Sequence, residues 1–199
     1  PYLLNNNFRG ADGPDRISPF YDEDFDSWVA PFVMGPINTR VVRRSAELLG
    51  DMYGSNFRYD EGILTRGGPT GFLGATGIGL ATGLAMATLA APPTRKIIKR
   101  LIPKPGEGPS EQDQEQGFFE IELKAKHPDD EGLDLRAIVK GDRDPGYGST
   151  AKMIVESALA LAHDDIKKGG GFWTPASVIG DQLLQRLPLH AGVTFELVG

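Results

Sequence analysis

The chain has 199 residues, with 40% apolar and 24% charged side chains, enough for one sizeable hydrophobic core. A net charge of −6 and a pI near 5.1 argue against a nucleic-acid partner, because phosphate contacts need clustered Lys and Arg. There is no Cys, which excludes disulfides, thiolate catalysis and Cys-based zinc sites. His127, His163 and His190 are the only histidines; they have neither the spacing nor the neighbours of a triad, and no metal site is expected. Pro1 stands first and no secretory signal is visible. The expectation is a fragment or mature product in the cytoplasm, or at the periphery of a membrane.

In chain order, residues 1–27 are turn-rich, and six acids from Asp12 to Asp26 read as a solvated loop. Tyr2-Leu3-Leu4 reads as a short strand. A helix is expected over about 36–49, with Pro36 in its first turn and Gly50 just past its end. Ile37, Val41, Ser45 and Leu48 form one stripe of it. Arg40, Arg43, Arg44 and Glu47 form another at i, i+3, i+4 and i+7. Guanidinium groups on one side suit phosphate or carboxylate; the bland alternative is a solvated face with Arg43 pairing Glu47. Phe57–Leu64 reads as a strand.

Gly71–Ala91 carries no charge. As a helix it would be about 31 Å long, near the hydrocarbon thickness of a bilayer. Small residues recur every fourth place from Gly71 to Ala91, a pattern that lets another backbone approach closely. Arg95, Lys96, Lys99, Arg100 and Lys104 follow. A buried core helix, a surface for membrane or lipidic substrate, and a single span all fit this apolar and basic insert, 69–104. Gly74-x-x-Gly77-x-Gly79 is rejected as a dinucleotide loop, since no apolar strand precedes it and basic residues stand where the acid should be.

After the breaker cluster Pro103–Pro109 and the polar run Ser110–Gln116 comes the clearest strand. Phe119, Ile121, Leu123 and Ala125 alternate with charged residues, and Leu133–Lys140 repeats the pattern. The two predict an antiparallel hairpin with one wet face. Asp144-Pro145-Gly146-Tyr147 is turn chemistry before a helix over Ser149–Lys168, whose N-terminus could hold an anion. Lys152 is electrostatically misplaced in that first turn. Thr174-Pro175 starts a third helix, ending before Pro188, and Val193, Phe195 and Leu197 form a last strand. The sum is α+β: one domain, a mixed or mostly antiparallel sheet covered on one face by helices, with an apolar helical excursion.

Several segments together resemble the saccharopine dehydrogenase-like oxidoreductases, and among them the mycobacterial trans-acting enoyl reductase branch. They are Trp28–Ser45, Leu101–Glu111, Gly141–Tyr147 with Thr150–Met153, and Gly171–Ala176 with Gly180-Asp181. The resemblance implies a C-terminal domain that shapes a substrate site and forms a homodimer. NAD(P) would be held mainly by an N-terminal Rossmann domain, absent here. It implies hydride delivery to a double bond of a lipid-like substrate, with this fragment inactive alone. Under it, Asn38, Arg40, Arg44 and Asp144 would form the substrate- or anion-binding site, the arginines holding phosphate or carboxylate, and Tyr147 or Lys152 would polarise a carbonyl. Phe72, Leu73, Leu80 and Leu84 would meet lipid. The rival expectation is a non-catalytic adaptor on a membrane or lipid surface, or a dimerisation module.

Overall fold

The computed structural model describes residues 1–7, 9–92 and 106–198. The chain, read from sequence as one domain around one sheet, divides into two units, Pro1–Lys104 and Pro105–Gly199. Each has its own three-stranded antiparallel sheet. The α+β class stands, but the single sheet becomes two. The N-terminal strands are only three to five residues long, whereas the long alternating strands after Gly117 pair among themselves.

In the first unit, β1 (Phe20–Asp22), β2 (Ser27–Pro31) and β3 (Gly62–Leu64) lie in the order β1-β2-β3. Only the last three residues of the expected Phe57–Leu64 strand are extended in the sheet. Tyr2–Leu4 is a turn rather than a strand. Part of the acidic run is turn chemistry: the Asp22 carboxylate accepts from the N–H groups of Asp24 and Phe25.

Helix α1 (Gly35–Leu49) has Pro36 in its first turn and Gly50 at its end with φ 63°. Of the expected stripe it buries Ser45 but neither Ile37 nor Val41. Ile37 is 58% exposed and Val41 is also exposed, while Thr39, Arg43 and Ala46 are buried. Arg43 explains the inversion. Its Nε lies 2.7 Å from Asp12 Oδ2 and its Nη1 3.4 Å from Asp15 Oδ1. Its Nη2 donates to the Tyr59 carbonyl at 3.1 Å. The Asp12 carboxylate also accepts from Tyr59 N–H. Glu47, at the far end of α1, accepts from the N–H groups of Asn6 and Asn7. Acids expected to be solvated thus bind the turn-rich segment onto α1.

Helix α2 (Gly68–Ala90) packs its first half on β2. Gly71 and Ala75 are buried, and a Cβ on Gly71 would lie 1.5 Å from the Arg66 carbonyl oxygen. Two turns on, Gly79 faces Pro19 and Pro31. Trp28 meets the Phe72 ring edge-on at 4.8 Å.

In the second unit, α3 (Glu111–Gln116) is a short helix where only a polar run was read. Ser110 Oγ accepts from Asp113 N–H, and the Asp113 carboxylate accepts from Ser110 N–H. Strands β4 (Phe119–Ala125), β5 (Leu135–Gly141) and β6 (Val193–Val198) are ordered β4-β5-β6. Ile121 is opposite Val139, which is opposite Phe195. The expected wet face carries Glu120–Lys140 and Glu122–Arg136 pairs across strands. At one end of the apolar face, Phe119, Val139, Met153 and Leu183 pack on buried Leu187, Ala191 and Val193.

Helix α4 (Gly148–His163) stops five residues before the expected Lys168. Asp164 at its end would face the negative helix pole; instead its carboxylate meets Arg186 Nη1 at 3.1 Å. Arg186 also holds Glu156 through Nε at 3.0 Å. Helix α5 (Pro175–Arg186) starts at Thr174 as expected and continues into a π-helical turn, Leu187–Ala191. Gly192 closes it at φ 67°, where a Cβ would also strike the Asp142 carboxylate.

Asp144 sets the start of α4. Its carboxylate accepts from the N–H groups of Gly146, Tyr147 and Gly148 at 3.0, 3.1 and 2.6 Å. The Gly148 bond above all, helped by the other two against a partial loss of solvent, holds its pKa below the usual 3.8. A folded pKa below the unfolded one gives stability that is full above the unfolded value and is lost as pH falls through the folded value. Asp144→Ala is therefore expected to melt earlier than the parent at neutral pH, and the gap should close as pH drops below the carboxylate range. Thermal melts across that pH series check this. In the first unit, Arg43→Met should cost about 3 kcal/mol, because it leaves buried Asp12 unpaired. Urea denaturation measures it, and adding Asp12→Asn should recover part of the loss.

Candidate functional site

The residues anticipated for a site fall into two groups of three. Asn38, Arg40 and Arg44 project from α1 in the first unit; Asp144, Tyr147 and Lys152 gather at the start of α4 in the second. In the first group every side chain has a partner. Asn38 donates to Glu61 Oε1 at 2.9 Å, and Glu61 Oε2 accepts from the Tyr59 hydroxyl at 2.9 Å. Arg40 meets Asp15 Oδ2 at 3.0 Å and donates to the Pro36 carbonyl. Arg44 pairs with Glu47, its neighbour on the same helix.

Electrostatics follows from this pairing. Burial would raise the Asp15 carboxyl, but hydrogen bonds and charge from Arg40 and Arg43 outweigh it and hold the pKa low. Desolvation would lower Arg43, but Asp12 and Asp15 raise it. Burial, then the Glu61 carboxylate, pushes the Tyr59 hydroxyl up, so it stays protonated and donating. The network reaches solvent at Arg40, whose side chain is a quarter exposed, whereas Arg43 is sealed at 4%. Arg40 is the guanidinium that can meet an external anion while Arg43 keeps hold of Asp15.

In the second group, Asp144 occupies the N-terminus of α4 itself, where an external anion was anticipated. Lys152 Nζ lies 3.3 Å from Asp142 Oδ1, which offsets its misplaced charge. The Tyr147 ring packs over Gly108, and the residue is half exposed. Its hydroxyl has no partner among the described residues. A phenol can donate to a carbonyl oxygen.

The lipid-contact residues are all on α2 and all exposed: Phe72, Leu73, Leu80 and Leu84. Gly68–Ala90 is long and apolar enough to cross a membrane. The basic run Arg95–Lys104 lies outside the described residues. A shallow groove along Lys124, Asp134, Leu135 and Leu197 contains none of the anticipated residues. Among the described residues no His, Asp and Glu side chains converge as a metal site.

Sequence reasoning missed Asp12, Asp15, Tyr59 and Glu61. A signal was present: acids three apart at 12 and 15 match arginines three apart at 40 and 43.

No family model matches the chain, and no solved structure matches it. Curated proteins do. Over 213 aligned positions it is 38% identical to a Mycobacterium tuberculosis (strain ATCC 25618 / H37Rv) protein bearing a trans-acting enoyl reductase name, covering 98% of this chain and 49% of that protein. It is 39% identical over 191 positions to the trans-acting enoyl reductase of Mycobacterium ulcerans (strain Agy99), covering 90% and 42%. The trans-acting enoyl reductase of Mycobacterium bovis (strain BCG / Pasteur 1173P2) is 38% identical over 178 positions, covering 83% and 40%. The chain spans about half the length, or less, of these curated relatives. Along most of its own length, the chain is thus related to proteins named trans-acting enoyl reductases.

Proposed function

We propose that these residues form the substrate-receiving part of an enoyl reductase-like, NAD(P)-dependent oxidoreductase of the saccharopine dehydrogenase-like kind, acting on a lipid-like substrate. The observation that carries the reading is the relationship to enoyl reductases along 98% of the chain. The exposed apolar side chains of α2 support a lipid-like substrate.

The described residues do not fit a dinucleotide. Both sheets are wholly antiparallel, without the parallel crossover unit whose edge cradles a pyrophosphate. Gly74, Gly77 and Gly79 lie inside α2; Gly79 packs on Pro19 and Pro31 and Gly74 lies by Thr65, while a Cβ on Gly77 would meet open space. The nicotinamide would be supplied by a Rossmann domain outside these 199 residues, so no hydride step is assigned to side chains here. Their part is binding and orientation. Arg40 and Arg44 would hold a phosphate or carboxylate of the substrate, with Asn38 on the same helix, and Asp144 would order the turn that carries Tyr147. Tyr147 and Lys152 would polarise a carbonyl conjugated to the double bond. The domain would also carry a homodimer contact.

A second reading has its own support. An apolar helix exposed over most of its length suits a non-catalytic adaptor on a membrane or lipid surface.

The test is nicotinamide oxidation by the full-length protein with an enoyl lipid substrate. Arg40→Ala, Tyr147→Phe and Lys152→Met are each expected to lower kcat/KM by about tenfold or more while melting within a few degrees of the parent. Parental rates in all three would remove these residues from the site. A folded full-length protein that binds lipid and oxidises no nicotinamide would put the adaptor reading first.

A further inference from the structure

We infer that the distal half of α2 enters one leaflet of an anionic membrane obliquely and does not cross it. This deepens the lipid-contact reading of α2 and is independent of the redox chemistry.

The helix is divided by its packing. Up to Gly79 it is clamped: Gly71 sits against the Arg66 backbone, Ala75 is fully buried, and Thr65 Oγ1 donates to the Gly71 carbonyl at 3.0 Å. Beyond Gly79 the clamp ends. A Cβ on Gly83 would meet nothing within 4 Å, and Leu80 and Leu84 are 70% and 68% exposed. The free stretch Leu80–Ala90 is about 16 Å long at 1.5 Å per residue. That is about half the roughly 30 Å a span requires.

The occupant follows from chemistry on all sides of the helix. A helix docked on a protein partner, or on a second copy, keeps a polar outer face. Here the only polar side chains from Gly68 to Ala90 are four threonines. Apolarity all round calls for apolar surroundings all round, which a leaflet supplies. In sequence, Arg95, Lys96, Lys99 and Arg100 follow within ten residues of Ala90, a composition that complements anionic headgroups.

The lie of the helix follows from its end. The last four carbonyls of a helix have no partner within it, and hydrocarbon cannot satisfy them. The C-terminal end must return to headgroup level. The helix therefore slants through the headgroup–acyl boundary at a depth of about 5–10 Å.

In full-length protein freed of any cysteine outside these residues, which themselves contain none, Leu84→Cys and Leu73→Cys give single labelling sites for an environment-sensitive dye. On phosphatidylcholine–phosphatidylglycerol vesicles the protein should co-float, less so on phosphatidylcholine alone. The dye at 84 should shift to the blue and be quenched best by a spin label near the headgroup, while the dye at 73 stays water-like. Leu84→Asp should reduce the bound fraction about tenfold or more. Three outcomes overturn the inference: no flotation, strongest quenching of position 84 by a label at the bilayer centre, or a blue-shifted dye at 84 before vesicles are added. The last would mean that protein already covers the helix. Nicotinamide oxidation without flotation defeats the insertion and leaves the reductase reading standing; flotation without oxidation does the reverse.

Discussion

Much of the first unit turns on how close two backbones come at the root of α2. The Gly71 α-carbon faces the Arg66 carbonyl with no room for a methyl group. Ala75 and Gly79 extend that contact, Gly79 to Pro31 at the end of β2 and to Pro19 just before β1. Small residues every fourth place are needed for such an approach, because any side chain there would lift the helix off the sheet. The large apolar residues consequently occupy the other positions, and most of them point away from β2. Phe72 finds Trp28, but Leu73, Leu80 and Leu84 find nothing comparable. The same stripe that seats the helix therefore produces its exposed apolar surface.

Charge is handled in the opposite way, by internal pairing. A buried guanidinium is tolerated only when its donors are used and its charge is met. Arg43 meets both conditions through Asp12, Asp15 and the Tyr59 carbonyl. The N-terminus of α4 is likewise filled by the Asp144 carboxylate. Both of these places, with the chemistry to bind an anion, already hold one from the chain. An external phosphate or carboxylate has to compete with these residents. It can do so at Arg40, where the pair with Asp15 is partly solvated and a neighbouring guanidinium retains the acid. At Arg43 the exchange would strand a desolvated carboxylate, so that residue belongs to the fold.

How much could be read in advance depended on whether a signal was local. The β4–β5 hairpin was legible because alternation over seven residues has one solution when one face must be dry. The ends of α1 and the start of α5 were legible from Pro36, Gly50 and Thr174-Pro175. The α3 helix carried a local signature too, Ser110-x-x-Asp113, hidden among breakers. The face of α1 was not legible by periodicity. Ile37 and Val41 outrank Thr39 and Arg43 in hydrophobicity, yet ion pairing to residues some thirty positions away decided which side went in. The split into two sheets was missed for a related reason: strand type is local, but strand partners are not. Of the candidate site, residue types, their grouping at the start of α4 and Glu47 on the arginine stripe could be read, though Glu47 pairs with Arg44 and not with Arg43; the carboxylate engaging Arg40 comes from 25 positions away and could not.

A lipid-like enoyl substrate poses a problem of phase as well as of chemistry. Its acyl chain partitions into bilayer or micelle, since each methylene is worth about 0.8 kcal/mol out of water. A reductase confined to water would meet only the small dissolved fraction. An apolar helix clamped at one end and free for about three turns at the other gives such an enzyme a means of working at the boundary itself. Under the insertion proposal the helix would keep the protein where such a substrate resides, whereas a pocket presupposes a substrate already extracted. The insertion and the reductase readings thus address one physical difficulty from two sides, although each stands or falls on its own measurement.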